Sequence, residues 1–224
     1  MIKVFCPVSR LHKYAFTLAE VLITVGIIGV VASLTMPTVI GSYQKQANIT
    51  LLRKTMNDFE TALDTYITEE GKTKLSHTEI YQTDGIEKFM NAKFNARKIN
   101  NFASSYQSIS GRTRDFSCSN LYTLPSGAAV CFTSLSYAAT GQNLIADFTV
   151  YIDVNGTKKP NIGGRDMFTF YISHESGAIK SLGPLDDSEI CDIESGTLCQ
   201  RCLDKEFGQG CISLLQNNNW KMNY

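Results

Sequence analysis

The feature that most constrains this chain is an apolar run near its N-terminus, FTLAEVLITVGIIGVVASLTM (Phe16–Met36), in which Glu20 is the only charge. Its 21 residues span about 32 Å as a helix at 1.5 Å per residue, against a hydrocarbon core of roughly 30 Å. A secretory signal peptide has a shorter apolar region, about 7–15 residues, with a small-residue cleavage site after it. The run therefore predicts a retained single-pass anchor. Lys3, Arg10 and Lys13 precede it with no acid among residues 1–15. That asymmetry predicts a cytoplasmic N-terminus and an extracytoplasmic remainder.

Glu20 needs a physical reason, because a carboxylate within an apolar helix costs a few kcal/mol unless it is solvated or paired. Lys13 is the nearest basic residue and lies outside the run. Glu20 either sits at the headgroup level in water or pairs with a charge that processing creates. Ala15-Phe16-Thr17-Leu18-Ala19-Glu20, followed by Val21-Leu22-Ile23 and Gly26-Ile27-Ile28-Gly29, resembles the cleavage and methylation segment of type IV prepilins and type II secretion pseudopilins. The resemblance covers roughly residues 10–45. It implies a leader, residues 1–15, removed by a prepilin peptidase that cuts between Ala15 and Phe16 and methylates the new amine of Phe16. It also implies that Glu20 acts in assembly by pairing with the cleaved amine of a neighbouring subunit, and Pro37 stands where that family often has Pro. The residue before the cut is usually Gly in that family; here it is Ala15, small enough for a tight subsite.

Pro37 removes one backbone hydrogen bond and Gly41 weakens the next turn, so a bend is expected there. Beyond it, Ile49, Leu52, Met56, Phe59, Leu63 and Tyr66 recur at spacings of three and four, with Lys45, Arg53, Lys54, Asp58, Glu60 and Asp64 between them. This predicts an amphipathic helix ending near Gly71 and packed on its own domain. Together the pieces make one helix of roughly 55 residues, against a typical 11–12. The domain expectation is a leader over 1–15, a helix over 16–70 that is transmembrane over about 16–37, and an extracytoplasmic head over 71–224.

Within the head, Ile86–Phe94 reads as a short helix and Ser104–Ser119 as a polar loop. Leu121–Leu124 and Ala128–Leu135 read as a hairpin around Pro125-Ser126-Gly127. Ala146–Asp153 and Met167–Ile172 alternate like strands, with Phe148, Val150 and Ile152 on one face and Thr149 and Tyr151 on the other. The fold class is therefore α+β, a small antiparallel sheet packed on the exposed half of the helix, with a cysteine-pinned, irregular C-terminal tail.

Of seven cysteines, Cys6 belongs to the leader, and the other six all lie beyond residue 117. That confinement fits an oxidising compartment. Cys118 and Cys131 flank the hairpin turn and are candidates for a bridge across it. Cys191, Cys199, Cys202 and Cys211 allow three connectivities. A four-thiolate zinc shell, or a redox pair at Cys199 and Cys202, is the less favoured use, since no strand-turn-helix surrounds that motif.

The Asn- and Gly-rich connection between the last two strands carries Asp153, Asn155 and Asp166. Their oxygens would suit calcium, and some pseudopilins bind calcium in such a loop. The spacing is not that of an EF-hand, and the same residues are turn formers, so turn chemistry is the preferred reading. The Asn155-Gly156-Thr157 sequon is weak. No motif requires a cofactor.

His12, His77 and His174 neighbour no nucleophile, and neither a phosphate loop nor HExxH nor GxSxG is present. Formal net charge is zero, which gives no nucleic-acid footprint. Removing the three leader charges from 21 basic residues leaves 18 against 21 acidic, a net of −3. The resemblance implies a non-enzymatic filament subunit whose partners are the prepilin peptidase, other pilin or pseudopilin subunits and the inner membrane. Its filament would stand in the periplasm or at the cell surface. A minor tip pilin with an adhesive or substrate-binding head is the second reading, and a membrane-tethered enzyme the third.

Overall fold

The structure, a computed structural model, describes residues 16–99, 104–118, 120–134, 147–156, 158–181, 202–203 and 207–224. The chain divides into two units, Met1–Tyr43 and Gln44–Tyr224. Helix α1 (Leu18–Glu69) contributes to both.

In the first unit α1 stays helical through Pro37 and Gly41. Pro37 has no N–H, so the carbonyl one turn earlier lacks its usual donor. The hydroxyls of this apolar stretch turn back onto the helix. Thr24 donates to the Val21 carbonyl at 2.9 Å, Ser33 to Val30 at 2.8 Å and Thr35 to Val31 at 3.0 Å. Such bonds satisfy polar groups in a segment long and apolar enough to cross a membrane.

In the second unit one stripe of α1 is buried: Ile49, Leu52, Thr55, Met56, Phe59 and Leu63. Tyr66, the last of the predicted stripe, is half-buried. The helix stops where expected. Gly71 takes φ +62°; its N–H donates to the Thr68 carbonyl at 3.0 Å and that of Lys72 to Ile67 at 3.0 Å. This is the paired bonding of a Schellman ending, which favours glycine at the left-handed position. Two short 3-10 turns (Leu75–His77 and Glu79–Tyr81) lead to α2 (Gly85–Phe94).

Six antiparallel strands form the main sheet in the order β1 (Arg97–Lys98), β4 (Asn120–Thr123), β5 (Ala129–Ser134), β6 (Phe148–Asp153), β7 (Met167–Ile172) and β8 (Ile179–Lys180). The β4–β5 hairpin and the β6–β7 pair are those expected from alternation. Register aligns Val130 with Ile152, and Phe132 and Phe170 with Val150. These side chains share one face, which packs on α1. Phe59 is fully buried there, its ring 4.3 Å from Phe94 and 5.9 Å from both Phe132 and Phe170.

Two expectations are corrected. Ser104–Ser119 is not a loop: it holds a second two-stranded sheet, β2 (Ser104–Gln107) paired with β3 (Thr113–Phe116). On the face opposite Val150, this hairpin and Phe207 cover Tyr151. Tyr106, Phe116, Leu121, Cys131 and Met167 form a second buried cluster there, with Tyr151 and Phe207 against it. The C-terminal tail is not wholly irregular. Helix α3 (Cys211–Asn217) buries Ile212 and Leu215 in the main core.

Candidate functional site

The first candidate is the start of α1. Phe16 is 86% exposed; Ala15, on the other side of the expected cut, lies outside the described residues, as does the leader. Thr17 donates to Glu20 Oε2 twice, from its N–H at 2.8 Å and its hydroxyl at 2.9 Å, and the Glu20 N–H donates back to Thr17 Oγ1 at 3.2 Å. This reciprocal pair is a capping box, which satisfies donors that the first helical turn otherwise leaves open. The carboxylate also complements the positive end of the helix dipole. In the single chain, then, Glu20 has a local role that hydropathy alone does not reveal. The signal was present as the Thr-x-x-Glu spacing.

The second candidate is the β6–β7 connection, and here the structure does bring Asp153, Asn155 and Asp166 together. Asp153 closes β6 and Asp166 precedes β7, with exposures of 2% and 1%. Asp153 accepts from the Tyr106 hydroxyl at 2.5 Å and from the Asn155 N–H at 3.2 Å. Asp166 accepts from the Ile162 N–H at 2.6 Å and from the Asn155 side-chain amide at 3.3 Å. Asn155 therefore bridges the two acids. Burial pushes Asp153 up to about 8, Asp166 adding to the rise against the Tyr106 hydrogen bond. Burial likewise lifts Asp166 to about 6, against hydrogen bonds led by the Ile162 N–H. Tyr106 is raised far above the usual phenol range by burial and by Asp153.

Chemically this network ties the connection to β2, where the Gln107 N–H also donates to the Asn161 carbonyl at 2.9 Å and Gln107 accepts from the Gly163 N–H at 2.8 Å. The turn chemistry is visible as well. The Asn155 amide closes on Asp153, and Gly156 takes φ +74°. Among the described residues no group of three or more His, Cys, Asp or Glu side chains is placed to hold a metal ion. Tyr106 is the member that sequence reasoning misses, since a tyrosine 47 positions from its partner leaves no local signal.

Cys118 and Cys131 form the expected disulfide, with Cα atoms 6.1 Å apart. In the tail Cys202 pairs with Cys211 at a Cα separation of 4.6 Å, and both are fully buried. Cys191 and Cys199 lie outside the described residues. His174 serves a turn: its Nδ1 and its backbone N–H both meet the buried Asp147 Oδ1, at 2.7 and 2.8 Å. His77 sits in the first 3-10 turn.

No family model, no curated protein and no solved structure matches the chain.

Proposed function

We propose that this chain is a non-enzymatic subunit of a type IV pilus or type II secretion pseudopilus, cut between Ala15 and Phe16 and assembled through its N-terminal helix. The observation that carries the reading is the segment Ala15–Glu20 at the head of an apolar helix. The division of labour along α1 supports it. Its first half exposes Leu22, Ile23, Val25, Ile27, Ile28 and Val30 at 60% or more. A contiguous apolar surface of that kind belongs against lipid or protein rather than water. Its second half buries one stripe in an α+β unit and presents charge elsewhere.

In this reading the anchor crosses the inner membrane once, with the C-terminal unit outside and a bend at Pro37 and Gly41. Removal of residues 1–15 turns Phe16 into a cation beside Thr17. In the lone subunit Thr17 holds the Glu20 carboxylate. In the filament Glu20 exchanges Thr17 for the methylated amine of a neighbour, and each charge offsets the other's burial. Co-expression with a prepilin peptidase, followed by intact mass and N-terminal sequencing, tests this. The expected product begins at methylated Phe16. A membrane-inserted protein that keeps residues 1–15 in the presence of active peptidase refutes it.

A further inference from the structure

The chain enters the unit Gln44–Tyr224 immediately after the apolar segment, and three stretches meet at that entry: the start of the second half of α1, the β6–β7 connection and the C-terminal tail. The Asn48 side-chain amide donates to the Arg165 carbonyl at 3.0 Å, and Lys45 Nζ to the Tyr224 carbonyl oxygen at 2.6 Å. The Tyr224 hydroxyl donates to the Gly164 carbonyl at 3.0 Å, and the Arg53 guanidinium lies 5.0 Å from the Trp220 ring.

Among the described residues, charge at this end is mostly basic, with Glu60 beside Arg53 and Trp220. Lys158, Lys159 and Lys221 are exposed, as is Arg53, while Lys45 and Arg165 are half-buried. Residues 44–57, 154–165 and 207–224 contain no Asp or Glu, and the neighbouring Asp153 and Asp166 are buried. The lysines held in described ion pairs with acids, Lys74, Lys88, Lys93 and Lys98, all lie on other elements. Arg165 Nε is buried with no hydrogen-bond partner among the described residues. Trp220 lies by Arg53 and Tyr224 by Lys45, and such amphipathic rings favour the headgroup layer.

We infer that this mostly basic end, Lys45, Arg165 and Lys221 together with Lys158 and Lys159 of the β6–β7 connection, docks on the headgroups of anionic phospholipids. The inference rests on the anchor reading of Phe16–Met36. A basic face joined directly to an apolar helix meets a bilayer surface at high local concentration, and that proximity favours lipid over a freely diffusing polyanion.

Trp220 is the single tryptophan of the chain and so reports on this face. Full-length protein is placed in nanodiscs of phosphatidylcholine, or of an equal mixture with phosphatidylglycerol, each carrying a spin label at the headgroup. Trp220 quenching should be stronger in the mixed discs and should fall at high salt as the Debye length shrinks. Each basic residue at an anionic surface is worth about fivefold in the docked-to-free ratio. Lys158→Glu/Lys159→Glu/Lys221→Glu should therefore lower that ratio by about a hundredfold or more, whereas Lys88→Glu should leave it unchanged. Quenching that is equal in both lipids, or indifferent to the triple change, overturns the inference while leaving the anchor reading intact. A chain that does not enter the discs overturns both. Capture of duplex DNA in phosphatidylcholine discs, lost in the triple variant, would reassign the face to nucleic acid.

Discussion

Raising the pH toward 8 should destabilise the C-terminal unit through one buried carboxyl, Asp153. Its ordinary value of 3.8 is raised to about 8 in the folded state, so the folded chain holds a proton that the unfolded chain releases. The stability this contributes is fully present below 3.8, declines as pH rises, and is lost above about 8. One proton corresponds to about 1.4 kcal/mol per pH unit. Over the roughly two units below the folded value, the loss from Asp153 is therefore about 2 kcal/mol. Asp166, lifted to about 6, adds a similar slope only at lower pH. The assay is urea unfolding of the disulfide-intact chain in detergent, followed by Trp220 fluorescence, for the parent and for Asp153→Asn. The substitution keeps an acceptor oxygen for one of the two donors, Tyr106 or Asn155, and removes the titration. The parent should lose about 2 kcal/mol more than the variant between pH 6 and pH 8. Parallel pH profiles for the two proteins would refute the reasoning, because the slope would then belong to other groups.

Phe59→Ala should cost about 3–5 kcal/mol, since the ring is fully buried against Phe94, Phe132 and Phe170; a loss below about 1 kcal/mol in the same urea assay would contradict that packing. Gly164→Ala should destabilise more than Gly111→Ala. Both have positive φ, but a Cβ at Gly164 would lie 2.7 Å from Cys211 Sγ and 3.0 Å from Ile109 Cδ1, whereas Gly111 has only Gln107 Nε2 at 3.8 Å. Equal costs in thermal melts would show that backbone conformation alone decides. Glu20→Ala should be inserted and processed but fail to form filaments. Thr17→Ala, which removes only the helix cap worth about 1 kcal/mol, should still assemble; equal assembly defects, read from sheared filament yield, would mean that Glu20 acts through its cap and not through a neighbour's amine.

The parts of this chain that the sequence determined are those whose cause is local. A predominantly apolar run of 21 residues makes a membrane-length helix whatever follows it. The three-four spacing from Ile49 to Leu63 names the buried face of α1, and Gly71 ends that helix because its positive φ suits glycine. Alternation in Phe148–Asp153 and Met167–Ile172 was enough to place two strands, and a tight turn between Cys118 and Cys131 was enough to suggest their bridge.

What the tertiary structure decided is what depends on distant partners. SSYQ and TRDF are polar enough to read as loop, and they became β2 and β3 because Tyr106 and Phe116 find Tyr151 and Phe207 across the sheet. The pairing of Cys202 with Cys211 needed the fold to choose among connectivities. Asp153 and Asp166 carry no mark of their perturbation in the sequence. Only burial beside Tyr106 and Asn155 turns two turn-forming residues into carboxyls that titrate above their ordinary range, because the cost of a charge depends on the water that the rest of the fold removes.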